Sequence, residues 1–243
     1  MKKNCEKIIE LKDVWKIYEM GDVKVEALRG LTLTVNRCDF VAIMGPSGSG
    51  KSTAMNMVGA LDIPTKGKIF LSGKDISEMP ESKLAQIRGK KIGFIFQKFN
   101  LINTLSALEN VMLPMTFQNI PAAERKEKAK KLLEGVDLGD RINHRPNELS
   151  GGQQQRVAIA RALANDPEVI LADEPTGNLD SKTGENVMQF LQRLHKDKGT
   201  TVVMVTHDIN VAKHAQRIEH LLDGTIVKTK TGDGNKVSSI SKN

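Results

Sequence analysis

One short segment restricts the fold of this chain more than any other. A continuous apolar run at residues 40–44 is followed at once by Gly45, Pro46, Ser47, Gly48, Ser49, Gly50, Lys51 and Ser52. Such a run is typical of a parallel strand that is buried on both faces. Glycines after such a strand let the backbone wrap around an anion, so that N–H groups and the next helix N-terminus point at a phosphate. The pattern predicts a phosphate-binding loop, in which Lys51 reaches the β- and γ-phosphates of a nucleotide and Ser52 binds Mg²⁺.

A second buried strand ends on two acidic residues. Residues 169–172 form an apolar run, and Asp173 and Glu174 follow it directly. Ligands of open α/β sheets bind at the carboxyl ends of the strands, so we expect both side chains beside the phosphate loop. Asp173 is expected to hold Mg²⁺ through a water molecule. Glu174 is expected to polarise the water that attacks the γ-phosphate, which is the task of a general base.

A third motif lies between these two regions. It consists of Leu149, Ser150, Gly151, Gly152 and Gln153, and it opens a helical pattern that continues through residues 155–160. The Ser150 hydroxyl and the N–H groups of the two glycines form a second anion site at this helix N-terminus. The motif is half of a nucleotide site, because it needs a phosphate that is held elsewhere.

Together these motifs resemble those of the ATPase subunits of ABC transporters. The resemblance covers residues 8–227, with each motif in the family's order. It implies that residues 45–53, which end at Thr53, bind ATP. It also implies that Tyr18 is the aromatic residue on which adenine stacks.

The same resemblance extends the catalytic and metal-binding groups. Gln97 matches the glutamine that touches Mg²⁺ and the attacking water and that adjoins the membrane partner. His207 matches the histidine that contacts the γ-phosphate. The implied catalytic residues are therefore Glu174, His207 and Gln97, and the implied Mg²⁺ ligands are Ser52, Gln97 and, through water, Asp173.

The family pairs its ATPase subunits head to tail around two ATP molecules. By this resemblance, the motif at residues 149–153, called the signature loop below, faces the γ-phosphate held by the other subunit of a homodimer. Asp180, in residues 178–180, matches a loop that contacts the other subunit. Closure of the dimer is then linked to ATP, and hydrolysis reopens it.

A finer resemblance is to the subfamily that serves macrolide export, lipoprotein release and cell division. It rests on residues 18–28 and 146–156. It implies an integral membrane partner with a large extracytoplasmic domain, which meets this chain around residues 100–115. Force is then transmitted across the bilayer. Cys38 stands where the family has glycine, which predicts a turn in a conformation that glycine favours.

The expected fold is α/β, with a RecA-like P-loop NTPase core, an antiparallel β subdomain and a helical subdomain. The chain is expected to be one ATPase domain, 1–243. Residues 1–99 and 165–227 are assigned to the core and β subdomain, residues 100–164 to the helical subdomain, and residues 228–243 to a flexible tail. The helix after Lys51 is expected to carry Met55, Val58 and Leu61 on one side.

Composition limits the setting in which the chain works. Of 243 residues, 39% are hydrophobic and 27% charged, as in a folded globular protein. No apolar run is long enough to span a bilayer, and no signal peptide is recognisable. We therefore expect a cytoplasmic protein, peripheral on the inner face of the cell membrane through its partner. The net charge is +7, but only 4% of residues are aromatic, so no nucleic acid is expected.

Two other functions stay open. A soluble ABC-type ATPase that acts on nucleic acid or ribosomes usually carries long insertions or two fused cassettes, and each motif occurs once here. A phosphate-loop kinase or GTPase outside the family would not need the signature loop. A membrane protein encoded beside this chain would favour a transporter subunit over both.

Overall fold

The computed structural model describes residues 6–232 and 237–238, which form two β-sheets with helices around them. The strands are β1 (Lys7–Met20), β2 (Val23–Asn36), β3 (Phe40–Met44), β4 (Lys66–Leu71), β5 (Lys74–Asp75), β6 (Ile92–Ile95), β7 (Val169–Asp173), β8 (Thr201–Thr206), β9 (Arg217–Leu222), β10 (Thr225–Thr231) and β11 (Val237–Ser238). The helices are α1 (Lys51–Val58), α2 (Glu81–Lys91), α3 (Ala107–Thr116), α4 (Ala122–Glu134), α5 (Gly151–Ala162), α6 (Ser181–Lys198) and α7 (Ile209–Ala212), with 3₁₀ turns at Gly139–Arg141 and Pro146–Glu148.

The larger sheet has the strand order β11-β10-β9-β3-β8-β7-β6. Neighbouring strands from β9 to β6 are parallel, whereas β10 and β11 are added antiparallel. The apolar strands β3, β7 and β8 lie inside this sheet, as their continuous hydrophobic runs predict. The register pairs Met44 with Thr206 and Asp173 with Val205. The carboxyl ends of β3, β7 and β8 therefore meet at one edge of the sheet.

The smaller sheet is antiparallel, with the order β2-β1-β4-β5. Its inner face and the larger sheet share one cluster of buried side chains, to which α1 contributes Met57 and Val58. The main-chain N–H of Gly224, between β9 and β10, donates to the Ser49 carbonyl, and that of Arg29 on β2 donates to the Gly224 carbonyl. These bonds fix the smaller sheet beside the phosphate loop.

Three helices, α3, α4 and α5, lie within residues 100–164 and share a separate buried cluster. Helices α3 and α5 each begin with a capping box, made by Ser106 with Glu109 and by Ser150 with Gln153. A capping box satisfies two N–H groups that a helix start would otherwise leave unpaired. Among the described residues, none of the helices combines the length and apolarity that crossing a bilayer requires.

The predicted α/β fold class is confirmed, because a largely parallel seven-stranded sheet and an antiparallel four-stranded sheet pack with helices around them. The glycine-like turn at Cys38 is also confirmed, since this residue has φ 63° and its N–H donates to the Thr201 hydroxyl at 3.0 Å.

Two expectations were wrong. Leu61 is 43% exposed, because α1 ends at Val58 and the chain then turns.

The second correction concerns the expected tail. Residues 228–231 belong to β10, which pairs antiparallel with β9. Threonine and valine favour extended backbone, and this preference outweighs the lysines that suggested a loose segment. Of the remaining tail, Val237 and Ser238 form β11, and residues 233–236 and 239–243 lie outside the described residues.

Candidate nucleotide site

The phosphate loop connects the end of β3 to the start of α1. Gly50 is the N-cap of α1 with φ 96°, and no side chain caps this helix. A Cβ atom at Gly50 would collide with the Ala27 carbonyl oxygen. At Gly48, with φ 78°, a Cβ atom would meet nothing within 4 Å and would project into open space. The loop therefore wraps closely at the start of α1, and this backbone shape suits a phosphate.

The loop forms one wall of a cleft of about 810 Å³, a normal size for a nucleotide-sized ligand. The predicted residues that line the cleft are Pro46, Ser47, Gly48, Gly50, Lys51, Ser52, Thr53, Gln97, Asp173, Glu174 and His207. Val25, Glu26 and Ala27 of β2 also line the cleft, and the Ala27 carbonyl lies against Gly50 of the loop. Two predicted loop residues lie behind this surface. Gly45 packs on the Leu221 carbonyl, and Ser49 is buried with a hydroxyl that has no partner among the described residues.

Lys51 and Asp173 carry opposite charges at the floor of the cleft. The Lys51 ammonium donates to the Pro46 carbonyl at 2.7 Å, so it is folded back over the loop. Burial raises the pKa of Asp173, the neighbouring Glu174 charge raises it further, and Lys51 opposes the shift. The cleft thus holds a carboxylate that its surroundings disfavour, and a bound cation would relieve this cost.

Glu174 has an unusual backbone. Its φ is 47°, in the left-handed region, a conformation that costs a residue other than glycine roughly 1–3 kcal/mol. Its N–H donates to the Val205 carbonyl at 3.0 Å, and one carboxylate oxygen lies 2.6 Å from His207 Nδ1. The Glu174 side chain is 18% exposed and that of His207 is 68% exposed. This geometry holds the carboxylate at the cleft, next to an accessible imidazole.

The predicted Mg²⁺ ligands Ser52, Gln97 and Asp173 all line the cleft. The described residues contain no group of three or more histidine, cysteine or acidic side chains that could hold a metal by themselves. Magnesium usually binds through one or two carboxylates together with substrate phosphates and water. A hydroxyl, an amide oxygen and one carboxylate fit that pattern, so these residues suit Mg²⁺ that arrives with a nucleotide.

Tyr18 is not among the residues that line the cleft. It lies on β1 opposite Val25, which does line it. The Tyr18 hydroxyl donates to Asp62 at 3.1 Å, and the Lys16 ammonium lies 5.0 Å from the ring centroid. Burial and the Asp62 carboxylate raise the pKa of Tyr18, and the Thr53 side chain opposes the shift. The ring is thus held next to Val25, which lines the cleft, and near Thr53 in the first turn of α1.

The signature loop lies elsewhere in the chain. Ser150 and Gly152 line a different cleft, together with Thr183 of α6 and Arg156 of α5. Leu149 is buried in the helical cluster, and a Cβ atom at Gly152 would collide with the Thr183 methyl group. Within one chain, therefore, the phosphate loop and the signature loop do not share a cleft.

Asp180 occupies a capping position. It is the N-cap of α6, where its carboxylate accepts from the N–H and the hydroxyl of Thr183 at 3.0 and 2.6 Å. These bonds lower the pKa of Asp180. On the same loop, the Asn178 amide donates to the Gln97 carbonyl at 2.8 Å. The loop therefore joins the start of α6 to the cleft.

Sequence reasoning missed several neighbours of the site. Residues 25–27 lie in the segment 18–28 that carried the finer resemblance, but no site role was predicted for them, and the contact of Asp62 with Tyr18 carried no recognisable motif. Gln155 was also missed, although its amide donates to the Pro175 carbonyl at 2.6 Å, directly after Glu174. The helical pattern of residues 155–160 was visible, but which glutamine faces β7 depends on the tertiary packing of α5.

Known proteins resemble this chain over nearly its whole length. The family model described as ABC transporter matches residues 28–177. A Thermotoga maritima protein described as an uncharacterized ABC transporter ATP-binding protein is 58% identical over 220 residues, which are 90% of this chain and 94% of that protein. The Brucella melitensis macrolide export ATP-binding/permease protein MacB is 50% identical over 224 residues, which are 92% of this chain and 34% of MacB.

A solved structure of an ATP-binding cassette also matches this chain over nearly its whole length. It is the dimeric, post-hydrolysis state of the ATP-binding cassette MJ0796, bound to ADP and Pi. Its TM-score is 0.85 at 50% identity, and the match covers 92% of this chain and 98% of that chain. MJ0796 is a protein of Methanocaldococcus jannaschii. These relatives exclude a kinase or GTPase outside the family and give no support to an ATPase of nucleic acid or ribosomes. This chain belongs to the ABC transporter family and is one of its ATP-hydrolysing cassettes.

Proposed function

We propose that two copies of this chain close head to tail around two ATP molecules and thereby drive an integral membrane partner. The observation that carries the proposal is the separation of the phosphate loop and the signature loop into different clefts of one chain. Each cleft offers only part of the charge stabilisation that a γ-phosphate needs. A second chain supplies the other part, and the relative MJ0796 has been solved as a dimer.

Each residue of the site has a role that its position supports. Lys51 leaves the Pro46 carbonyl and binds the β- and γ-phosphates, and the N–H groups of residues 45–53 hold the same phosphates. Tyr18 stacks on adenine at the mouth of the cleft. Ser52, Gln97 and, through water, Asp173 hold Mg²⁺, which supplies charge neutralisation when bound.

Hydrolysis depends on Glu174 and His207. Glu174 accepts a proton from the attacking water, and His207 donates a hydrogen bond to the γ-phosphate while remaining close to Glu174. The N–H groups of Gly151 and Gly152 from the second chain stabilise the charge that develops on the transferred phosphoryl group. Loss of that group removes these contacts, so the dimer opens.

The partner binds at a groove beside Gln97. This groove has a volume of about 400 Å³ and a largely apolar lining, which includes Leu61, Phe94, Phe96 and Pro114. Phe117, three residues beyond Pro114, is 73% exposed. A short cytoplasmic helix of the membrane protein fits such a groove. Residues 100–164 then act as a helical subdomain that moves with the partner, and the rest of the chain forms the ATPase core.

The partner resembles the permease part of MacB, whose ATP-binding part this chain matches. We propose that it has a large extracytoplasmic domain and that closure of the ATPase dimer transmits force to it for export, lipoprotein release or a similar mechanical task. The ATPase then lies on the cytoplasmic face of the cell membrane.

The test is purification of the tagged chain from detergent-solubilised membranes, with identification of bound proteins by mass. Recovery of a permease, and faster ATP hydrolysis when it is present, supports the proposal. Recovery of nucleic acid or ribosomes without a permease contradicts it.

A variant tests the coupling itself. Gln97→Ala is expected to keep ATP binding, because the phosphate loop is intact, and to weaken partner-stimulated hydrolysis. Phe117→Ser, outside the cleft, is expected to weaken partner binding. Equal stimulation of wild type and the Gln97→Ala variant contradicts the link between the groove and the site.

A further inference from the structure

Gln155 connects the signature helix α5 to the catalytic strand end. Its side chain is fully buried, at 0% exposure. The amide donates to the Pro175 carbonyl at 2.6 Å, and the side-chain carbonyl has no partner among the described residues. A buried amide that makes one short bond to a main-chain carbonyl fixes the position of that carbonyl, because breaking the bond leaves two buried groups unpaired.

The carbonyl that Gln155 fixes directly follows Glu174. Glu174 has the left-handed backbone described above, and such a conformation persists only where its surroundings over-determine it. Two main-chain bonds contribute, from Glu174 N–H to the Val205 carbonyl and from Gly177 N–H to the Glu174 carbonyl, each at 3.0 Å. Both lie within the sheet and its following turn. The bond from Gln155 is the contribution from α5.

The three consecutive glutamines of α5 make different contacts. Gln153 completes the capping box with Ser150, and the Gln154 amide donates to the Leu149 carbonyl at 3.0 Å. Both therefore stabilise the signature loop itself. Successive residues of a helix point about 100° apart, so only Gln155 faces the strand end.

We propose that Gln155 is a positioning residue for Glu174. This inference rests on the proposed role of Glu174 as general base. Gln155 holds the 174–175 backbone so that the carboxylate points into the cleft toward the attacking water. Because Gln155 lies on the helix whose N-terminus meets the other chain's nucleotide, it also ties the base of one ATP site to the signature loop that serves the second.

The test compares Gln155→Met with Gln192→Met in the full-length chain. Methionine keeps the length of glutamine and removes the amide. Gln192, on α6, makes the same kind of bond, from its amide to the His214 carbonyl at 3.0 Å, away from Pro175. We expect Gln155→Met to lower kcat roughly 10- to 100-fold, the effect of a misplaced catalytic group, while the KM for ATP stays within about twofold. Gln192→Met is expected to keep wild-type kcat.

A double variant separates positioning from a general loss of structure. In the Glu174→Gln background the base is already absent, so adding Gln155→Met is expected to leave the residual rate within about twofold. Gln155→Asn keeps the amide but shortens its reach by one methylene, and it is expected to lower kcat as Gln155→Met does. If Gln155→Met does not fold, this variant carries the same comparison.

Three results overturn the inference. One is wild-type kcat in both Gln155 variants. Another is that Gln155→Met lowers kcat by the same factor in the wild-type and the Glu174→Gln backgrounds, which indicates a structural role only. The third is a rise in KM with kcat unchanged. If instead Glu174→Gln alone keeps wild-type turnover, the proposed function loses its general base, and this inference falls with it.

Discussion

Helices α1 and α5 are both proposed to meet phosphate at their N-termini, yet their first turns are built in opposite ways. Helix α1 begins after Gly50, which has φ 96° and offers no side-chain cap. Helix α5 begins after Ser150, whose capping box with Gln153 satisfies the N–H groups of these two residues. The start of α1 leaves its N–H groups for a ligand of its own chain. The start of α5 is held in place without a ligand, and the capping box leaves the N–H groups of Gly151 and Gly152 for the phosphate of a second chain.

The surroundings of the two helices differ in the same sense. The cleft at α1 contains Asp173, whose pKa is raised, and Glu174 with a left-handed backbone. Functional sites commonly hold such unfavourable features because the surrounding fold supports them. The cleft at the α5 N-terminus also has a left-handed residue, Asp137 with φ 57°, but the raised pKa of Asp173 belongs to the cleft at α1. A cation that arrives with the nucleotide relieves the cost of the Asp173 charge, so the cleft at α1 is expected to gain stability from its ligand.

The largest expected effect comes from blocking the α5 N-terminus. Ser150→Arg places a bulky side chain where the other chain's γ-phosphate must dock. Turnover is expected to fall by about 10³-fold or more, the scale of a lost stabilising group supplied in trans. ATP binding by the isolated chain is expected to stay near wild type, because the phosphate loop lies in a different cleft. Turnover assays and binding of a fluorescent ATP analogue measure the two effects. A matching loss of binding shows that the two loops share one site within the chain.

The second-largest expected effect is a loss of turnover from a change in the cleft at α1. Glu174→Gln removes the proton acceptor and keeps the size of the side chain. Turnover is expected to fall by about 10²- to 10⁴-fold, the usual contribution of a general base, with ATP binding retained. With ATP, this variant is expected to accumulate as a dimer, because closure occurs and hydrolysis does not. Turnover within about threefold of wild type removes Glu174 from this role.

A smaller effect distinguishes the two helix starts by stability. Ser150→Ala removes the cap of α5 and is expected to lower the free energy of unfolding by about 1 kcal/mol. Ser47→Ala, in the exposed loop before α1, is the control and is expected to change it by less than about 0.5 kcal/mol. Chemical unfolding of the nucleotide-free chain measures both. Equal losses show that the two starts are capped alike.

The smallest expected effect is a gain in stability, whereas the preceding variants lose activity or stability. Asp173 has a raised pKa, mainly through burial and further through Glu174, so its charged form is less favourable in the folded chain than in the unfolded one. Its contribution to stability is therefore lost as the pH rises above the ordinary value of 3.8. Asp173→Asn is expected to stabilise the nucleotide-free chain at neutral pH and to lose this advantage as the pH falls toward that value. Unfolding curves in the presence of a chelator provide the measurement, and a destabilised variant at neutral pH contradicts the assignment.

Much of the fold and site was predictable because local patterns and tertiary structure agree. The apolar runs before Gly45 and Asp173 are central strands, and their parallel register brings both residues to one edge. Where the prediction failed, the deciding features were local turns that the pattern reasoning did not use. Residues 228–231 are a strand because a two-residue turn at 223–224 pairs β10 with β9, and Leu61 leaves the helix because the chain turns after Val58.

The left-handed backbone of Glu174, by contrast, could not be predicted from local pattern. It depends on bonds to β8, from Glu174 N–H to the Val205 carbonyl, and on the buried amide of Gln155. The separation of the two clefts also required the three-dimensional structure. The sequence indicates that the signature loop is half of a nucleotide site, and the fold shows that the signature loop and the phosphate loop line different clefts of one chain.

Cross-linking between chains tests this separation most directly. The Glu174→Gln chain, with Cys5 and Cys38 replaced by serine, is prepared in two forms, one with Ser47→Cys and one with Ser150→Cys. With ATP and a short thiol cross-linker, the mixture is expected to give a two-chain product, and either form alone is expected to give none. Without ATP the product is expected to disappear. A link within a single chain that carries both cysteines, or no two-chain product from the mixture, contradicts a site shared between two chains.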